Sequence, residues 1–411
     1  MKRRTFLQSS LASLGLGMAG ISDLVLADTK SEGKAASATK PSLWPQANTP
    51  FVQVFLRGGA DTLSLLSPLD DPEFLAARPP DMRIKLSGFN EAPIVGGGAT
   101  LYWHPNAQPL ANLYAQKRLA PWLAVGLSDE TRSHFEAQEM MDRGLGSLRQ
   151  LPDSDGWMSR LAKARSKGRQ AGLPLFSGTN NLSPVMQGAH RVLAVRDLNN
   201  GVSFPGGPAG ARAIDAMCLQ ESSHLASALM RASIQAIDTV NQALPKEPAP
   251  SNKVLPYVSA GAVPYPNADP AIGLRSVARL IGAKVGLEYA CVDHFGWDTH
   301  EYQNGKINNL VRDLSGALQA FDEDMRAQKQ PYTLVVMTEF GRRLRTNMSY
   351  GSDHGHASVA LLMGDGIPGG QVLGKWPGLA SAQLDRGVDV AVTTDYQQVL
   401  IQALRWNAQL A

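Results

Sequence analysis

Cysteine is scarce: the 411 residues contain two, Cys218 and Cys291, which excludes a disulfide scaffold. A single bridge would need both thiols, yet Cys291 stands in the apolar run Leu287-Glu288-Tyr289-Ala290-Cys291-Val292 and reads as a buried, inert thiol. Long hydrophobic runs are missing too. Beyond the N-terminal stretch no segment reaches the ~20 apolar residues that span a bilayer. Charge of one sign is equally lacking, because a net +3 gives no nucleic-acid signature and part of it belongs to the first residues. No internal repeat is visible. Gly58-Gly59 and Gly96-Gly97-Gly98 are too short for a nucleotide-binding fingerprint and read as turns.

What is present begins at the N-terminus. Lys2, Arg3, Arg4, Thr5, Phe6 and Leu7 precede a mild apolar stretch, 11–26, diluted by Gly15, Gly17 and Gly20 and closed by Val25-Leu26-Ala27. A charged start, a weakly hydrophobic middle and a small-residue end, with Arg-Arg-x-Phe-Leu at the core, make a twin-arginine export signal over 1–27. Whether it is cleaved or kept as an anchor stays open. Residues 28–50 are rich in Ser, Ala, Lys and Pro and read as a disordered tether. The expected location is periplasmic or extracellular, with the twin-arginine translocase as a partner during export and no nucleic-acid partner.

The remaining 51–411 has the length and, at 44% hydrophobic residues overall, the composition of a soluble core. Apolar runs at 51–56, 119–125, 286–292, 332–337 and 359–363 predict buried strands, and helical stretches separate them. Ile307, Leu310, Leu314, Phe321 and Met325 make one stripe and predict a helix over 306–327. A second helical pattern covers 211–244, and a third closes the chain with Thr394 as its N-cap. The segment 147–274 predicts a mainly helical insertion or cap over the sheet edge.

In an open α/β sheet, ligands bind beyond the carboxyl ends of the strands, so the polar residues there matter most. The first run ends in Arg57-Gly58-Gly59-Ala60-Asp61-Thr62, and the second in Ser128-Asp129-Glu130-Thr131-Arg132-Ser133-His134. The third ends in Asp293-His294-Phe295-Gly296-Trp297-Asp298-Thr299-His300, and the fourth in Thr338-Glu339-Phe340-Gly341-Arg342-Arg343. Gly351-Ser352-Asp353-His354-Gly355-His356 stands just before the fifth. Five of the eight histidines thus fall at strand ends among carboxylates. Imidazole and carboxylate suit zinc, manganese or iron, and a carboxylate-rich site also accepts magnesium or calcium. Two residues apart, Asp298 and His300 can face the same side of an extended segment. Ser133 with Glu136 forms a capping box, and a helix N-terminus also places a hydroxyl beside a bound anion. Ser133 is therefore a candidate nucleophile, with Thr131, Thr62 and a metal-bound water as rivals, and Arg132 a candidate oxyanion clamp. His134 or His356 is a candidate proton donor.

The motifs Arg57-Gly58-Gly59-Ala60-Asp61, Thr131-Arg132-Ser133-His134-Phe135-Glu136, Trp297-Asp298-Thr299-His300, Thr338-Glu339-Phe340-Gly341-Arg342 and Gly351-Ser352-Asp353-His354-Gly355 occur in this order. Together they resemble domain-of-unknown-function family 1501, which is similar to the alkaline phosphatase and sulfatase superfamily. The resemblance implies a three-layer α/β/α sandwich with a metal held by Asp61, Asp298, His300, Glu339 and His354, and a hydroxyl nucleophile at Ser133. Two departures stand out. Phe340 occupies the place of a ligand histidine, and Asp298 and His300 are closer together than the superfamily's usual spacing. Losing an imidazole favours a single metal or a harder ion. Asp293 and His294 are spare donors, although the resemblance does not mark them. The function implied is an exported metal-dependent hydrolase of a phosphate or sulfate ester, small or polymer-borne. Its alternative is a non-catalytic secreted binding or assembly protein that keeps the old cleft.

Overall fold

The computed structural model describes residues 49–147, 155–165 and 172–410. The expected export signal, 1–27, lies outside the described residues, as does the tether except for Thr49 and Pro50. Eleven strands are present among them. They are β1 (Phe51–Leu56), β2 (Leu66–Ser67), β3 (Ile94–Gly96), β4 (Ala99–Trp103), β5 (Leu119–Gly126), β6 (Leu175–Ser177), β7 (Val192–Ala194), β8 (Tyr289–His294), β9 (Thr333–Thr338), β10 (Ser358–Gly364) and β11 (Thr394–Asp395).

Eight of them form one sheet in the order β11-β5-β10-β9-β1-β8-β6-β7, while β2, β4 and β3 form a small second sheet. Within the large sheet β10 runs antiparallel to β9 and β5, and every other pairing is parallel. Every residue of β1, β8, β9 and β10 is buried, as a central strand covered on both faces requires. Strand alternation then divides the core. Val52, Val54 and Leu56 face the helices Gln108–Ala115, Asp269–Gly282 and Gln303–Ala327. Phe51 and Phe55 face Trp157–Arg165, His134–Arg143 and Tyr396–Ala408. The result is a three-layer α/β/α arrangement.

The helix Gln303–Ala327 shows how the layers hold. Ile307, Val311, Leu314, Leu318, Phe321 and Met325 recur at helical spacing and are all buried. Each such side chain contributes about 1.5–3 kcal/mol on leaving water.

Three expectations change. The pattern over 211–244 is two helices, Gly207–Gln220 and Leu225–Ala243, because His224 caps the second by accepting from the Ala226 N–H. The last helix is capped by Asp395, whose carboxylate accepts from Gln397 N–H, while Thr394 pairs in β11 beside β5. Within 147–274 the helix pair is accompanied by β6 and β7, which extend the sheet beyond β8.

Because β10 runs against its neighbours, the chain entering it lies at the same edge as the chain leaving β1, β5, β8 and β9. The loops at 57–61, 127–134, 295–300, 339–342 and 351–357 therefore meet at one rim.

Candidate metal centre

Four side chains from three of these loops converge. His134 opens the helix His134–Arg143, one residue after its cap Ser133. Asp298 and His300 leave β8, and His354 precedes β10. Asp298 Oδ1 lies 3.4 Å from His134 Nε2, 3.0 Å from His300 Nε2 and 3.3 Å from His354 Nε2. His300 Nε2 and His354 Nε2 are 2.9 Å apart. The ligand atoms of His134, Asp298 and His354 all lie within 4.8 Å of one another, so this set could hold a metal ion.

The other nitrogen of each ring decides which way its lone pair points. His134 Nδ1 is 2.9 Å from Glu339 Oε1, His300 Nδ1 is 3.2 Å from Asp353 Oδ1, and His354 Nδ1 is 2.7 Å from the Arg132 carbonyl. All three partners are acceptors at neutral pH, a backbone carbonyl and two carboxylates, so the favoured tautomer has each Nδ1 carrying the proton and donating. Each Nε2 then offers a lone pair toward Asp298 Oδ1. The buried His134 Nε2 has no hydrogen-bond partner. Lone pairs crowded this way need a shared cation, a proton or a metal ion. A tetrahedral ion with bonds of about 2.0–2.1 Å keeps its ligand atoms about 3.3 Å apart, close to the spacing found here.

Burial of Asp298 opposes its ionisation, but the hydrogen bond and charge of Arg342, with His300 and His134 behind, hold its carboxyl down at about 2. The Glu339 hydrogen bond raises His134. Burial lowers His354, which favours the neutral form that can act as a ligand.

Arg342 fixes the rim. Its buried guanidinium donates to the carbonyls of Gly59 (2.6 Å), Ser352 (2.8 Å), Gly58 (2.5 Å) and Trp297 (3.2 Å), and to Asp298 Oδ1 at 2.5 Å. One cation thus ties three loops together. Gly58 permits their approach, since a Cβ there would collide with the Asp298 backbone nitrogen. The Phe340 ring lies 4.9 Å from both His134 and His354, an apolar wall where the superfamily pattern implies a ligand.

A model of the family described as "Protein of unknown function (DUF1501)" matches residues 120–404. The chain belongs to this family. Among solved structures, it is similar to a protein in the alkaline phosphatase superfamily from Vibrio parahaemolyticus. The identity is 13% and the TM-score 0.38, over 86% of this chain and 70% of that one. It is also similar to the C-terminal periplasmic domain of EcEptC from Escherichia coli, 10% identical with a TM-score of 0.34, over 80% of this chain and 76% of that one. No curated protein matches.

In this DUF1501 chain the remaining sequence candidates are differently occupied. Glu339, expected as a ligand, is fully buried. Its Oε1 accepts from His134, from Gly58 N–H at 2.9 Å and from Gln138 Nε2 at 2.7 Å, so it orients His134 from behind. Asp61, also expected as a ligand, is buried in an ion pair. Arg78 donates to both of its oxygens (2.6 and 3.1 Å), Ser64 Oγ donates at 2.7 Å and Gln303 Nε2 donates as well. Burial opposes its ionisation, but Arg78 and the hydrogen bonds outweigh that and lower its pKa.

Arg132, expected as an oxyanion clamp, binds Asp385 at 2.7 Å and Asp389 at 2.6 Å. Ser133 Oγ accepts from Glu136 N–H at a loose 3.5 Å, whereas Thr131 Oγ1 donates to Glu136 Oε2 at 2.6 Å. Thr62 is buried, its hydroxyl 3.4 Å from Ser358 Oγ. His356 is tied at both nitrogens, to Asp385 and to the Leu127 carbonyl, which removes it as a proton donor. Asp293 pairs with Arg57 at 2.9 Å, and His294 is buried, held at about 4 by that burial. Neither joins the cluster.

His134, weighed from the sequence as a proton donor, is brought by the structure into the set with Asp298 and His354 that could hold a metal ion. Its signal was position: the first residue of a helix starting beyond the carboxyl end of β5.

Proposed function

We propose that this chain is an exported, metal-dependent hydrolase of a phosphate or sulfate ester. The observation that carries the reading is the convergence of His134, His300 and His354 Nε2 within 3.4 Å of Asp298 Oδ1, each ring held by an acceptor at its Nδ1. His134, Asp298, His300 and His354 would hold the ion, with His134 replacing Asp61 and Glu339 in the set inferred from the resemblance. Three imidazoles and a carboxylate favour zinc, manganese or iron over magnesium and calcium. When bound, such an ion supplies Lewis-acid polarisation of the ester and charge relief for the leaving group.

The protein's own groups do the rest. Glu339, Asp353 and the Arg132 carbonyl keep the Nδ1 protons in place and the rings aimed. Asp298 stays ionised beside Arg342. The first turn of the helix His134–Arg143 favours an anionic ester, and Ser133, the least restrained of the candidate hydroxyls, is the nucleophile assigned there. No helix among the described residues is long and apolar enough to cross a membrane. The twin-arginine pattern supports export after folding, when the ligand set is already assembled.

One observation favours the second reading, a non-catalytic secreted binding or assembly protein. Arg132 is committed to two aspartates, which leaves its guanidinium unavailable to clamp an oxyanion. The discriminating experiment measures metal content after chelator-free purification and screens aryl phosphate monoesters, diesters and sulfates. Turnover lost in Asp298→Ala and His354→Ala supports the hydrolase. Bound metal with no turnover of any ester supports the alternative.

A further inference from the structure

A cavity of about 590 Å³ adjoins the candidate centre, within the ~300–1,000 Å³ of small-ligand sites. Two elements are shared between them. His134 and Gln138 lie one helical turn apart, the first in the centre and the second in the cavity wall, and both bind Glu339 Oε1. Phe295, another wall residue, belongs to the loop that carries Asp298.

The charges in the wall are internally paired. Arg57 binds Asp293 at 2.9 Å and, beyond the wall, Asp142 at 2.8 Å; Arg196 binds Asp269 at 2.6 Å. Among the described residues no unpaired cation faces the cavity, so an anion gains nothing from them by entering it. What the wall offers is neutral hydrogen bonding and one ring. Asn180 and Asn181 are exposed, and their amides have no intramolecular partner among the described residues. Phe295 is 58% exposed. Free amides that both donate and accept, beside an exposed aromatic face, match the alternating hydroxyls and C–H faces of a sugar ring.

We infer that this cavity is a carbohydrate subsite, taking the neutral, polyhydroxylated part of the ester whose anionic group meets the metal centre. The inference rests on the proposed hydrolase reading for the word ester. The sugar contacts themselves need no metal.

That separation sets the test. The full chain, stripped of metal with chelator, is assayed for binding to short neutral gluco-, galacto-, manno- and xylo-oligosaccharides on an array, and hits are titrated calorimetrically. The expected result is binding to at least one series, weakened about five- to tenfold by Asn181→Ala and by Phe295→Ala, and unchanged in Val95→Ala, an exposed position on the small second sheet. No binding to any series overturns the inference, as does binding that both wall substitutions leave intact, or displacement of the sugar by sulfate alone in the stripped protein. Sugar binding by a chain that proves unable to hold any metal would leave the subsite standing and remove the hydrolase.

Discussion

Replacing Glu339 by Gln tests whether this buried carboxylate orients a ligand or is itself one. The substitution keeps the shape. The amide oxygen can still accept from Gly58, His134 and Gln138, and the new NH₂ falls beside Thr338 Oγ1, 3.0 Å from Glu339 Oε2. What changes is the charge opposite His134 Nδ1–H. A hydrogen bond to a charged group contributes about 1.5–3 kcal/mol and a neutral one about 0.5–1.5 kcal/mol, a difference of roughly 1–1.5 kcal/mol. Passed to the basicity of Nε2, that difference weakens metal binding about tenfold, the lower end of the 10- to 100-fold found for outer-shell partners. Competition with a chromogenic chelator measures it, and thermal unfolding confirms that the fold is kept. Affinity equal to wild type would refute the coupling. Loss as complete as in Asp298→Ala would refute the orienting role and restore Glu339 to the ligand set.

Other outcomes follow from neighbouring contacts. Asp353→Asn should weaken metal binding less, under about threefold, because its carboxylate is 45% exposed and solvent replaces part of what it supplies to His300; the same chelator competition reads it. Ser133→Ala should abolish ester turnover while sparing metal affinity, and cost about 0.5 kcal/mol in chemical denaturation because its cap bond is loose. Arg78→Met leaves Asp61 buried without its partner and should cost about 3–5 kcal/mol of stability. The lowered pKa of Asp61 makes the wild-type contribution present above 3.8 and lost as pH falls below it, so the variant should show less acid sensitivity there. His104 and His294 are held by burial at about 4 against an ordinary 6.5, so their neutral forms favour folding above 6.5 and that advantage is lost toward pH 4. Each contributes about 3 kcal/mol to that loss, and His104→Asn should flatten the fall in denaturation midpoint between pH 7 and pH 5.

The central strands were legible in the sequence because burial on both faces makes them continuous apolar runs: 51–56 is β1, and the other four runs fall on β5, β8, β9 and β10 within a few residues. Their polar ends were legible for the same reason, since chemistry gathers where those runs stop. The strands β6 and β7, three residues each, carry no such run and become strands only by pairing with the sheet edge. Within the site, sequence could gather acids and histidines but not rank them by distance from a common point. Asp61 and Glu339 look like ligands until Arg78, 17 residues on, and His134, 205 residues back, take up their oxygens. The commitment of Arg132 to Asp385 and Asp389 was hidden likewise, because it depends on a loop more than 250 residues away.

Metal analysis of protein purified without chelator tests the central claim most directly, with Asp298→Ala and His354→Ala analysed beside it after their folds are confirmed by circular dichroism. About one transition-metal ion per folded wild-type chain, and none in either variant, is the predicted result. A folded wild type that takes up no divalent ion even when it is supplied would mean that a proton alone bridges these lone pairs, and the metal centre would be wrong.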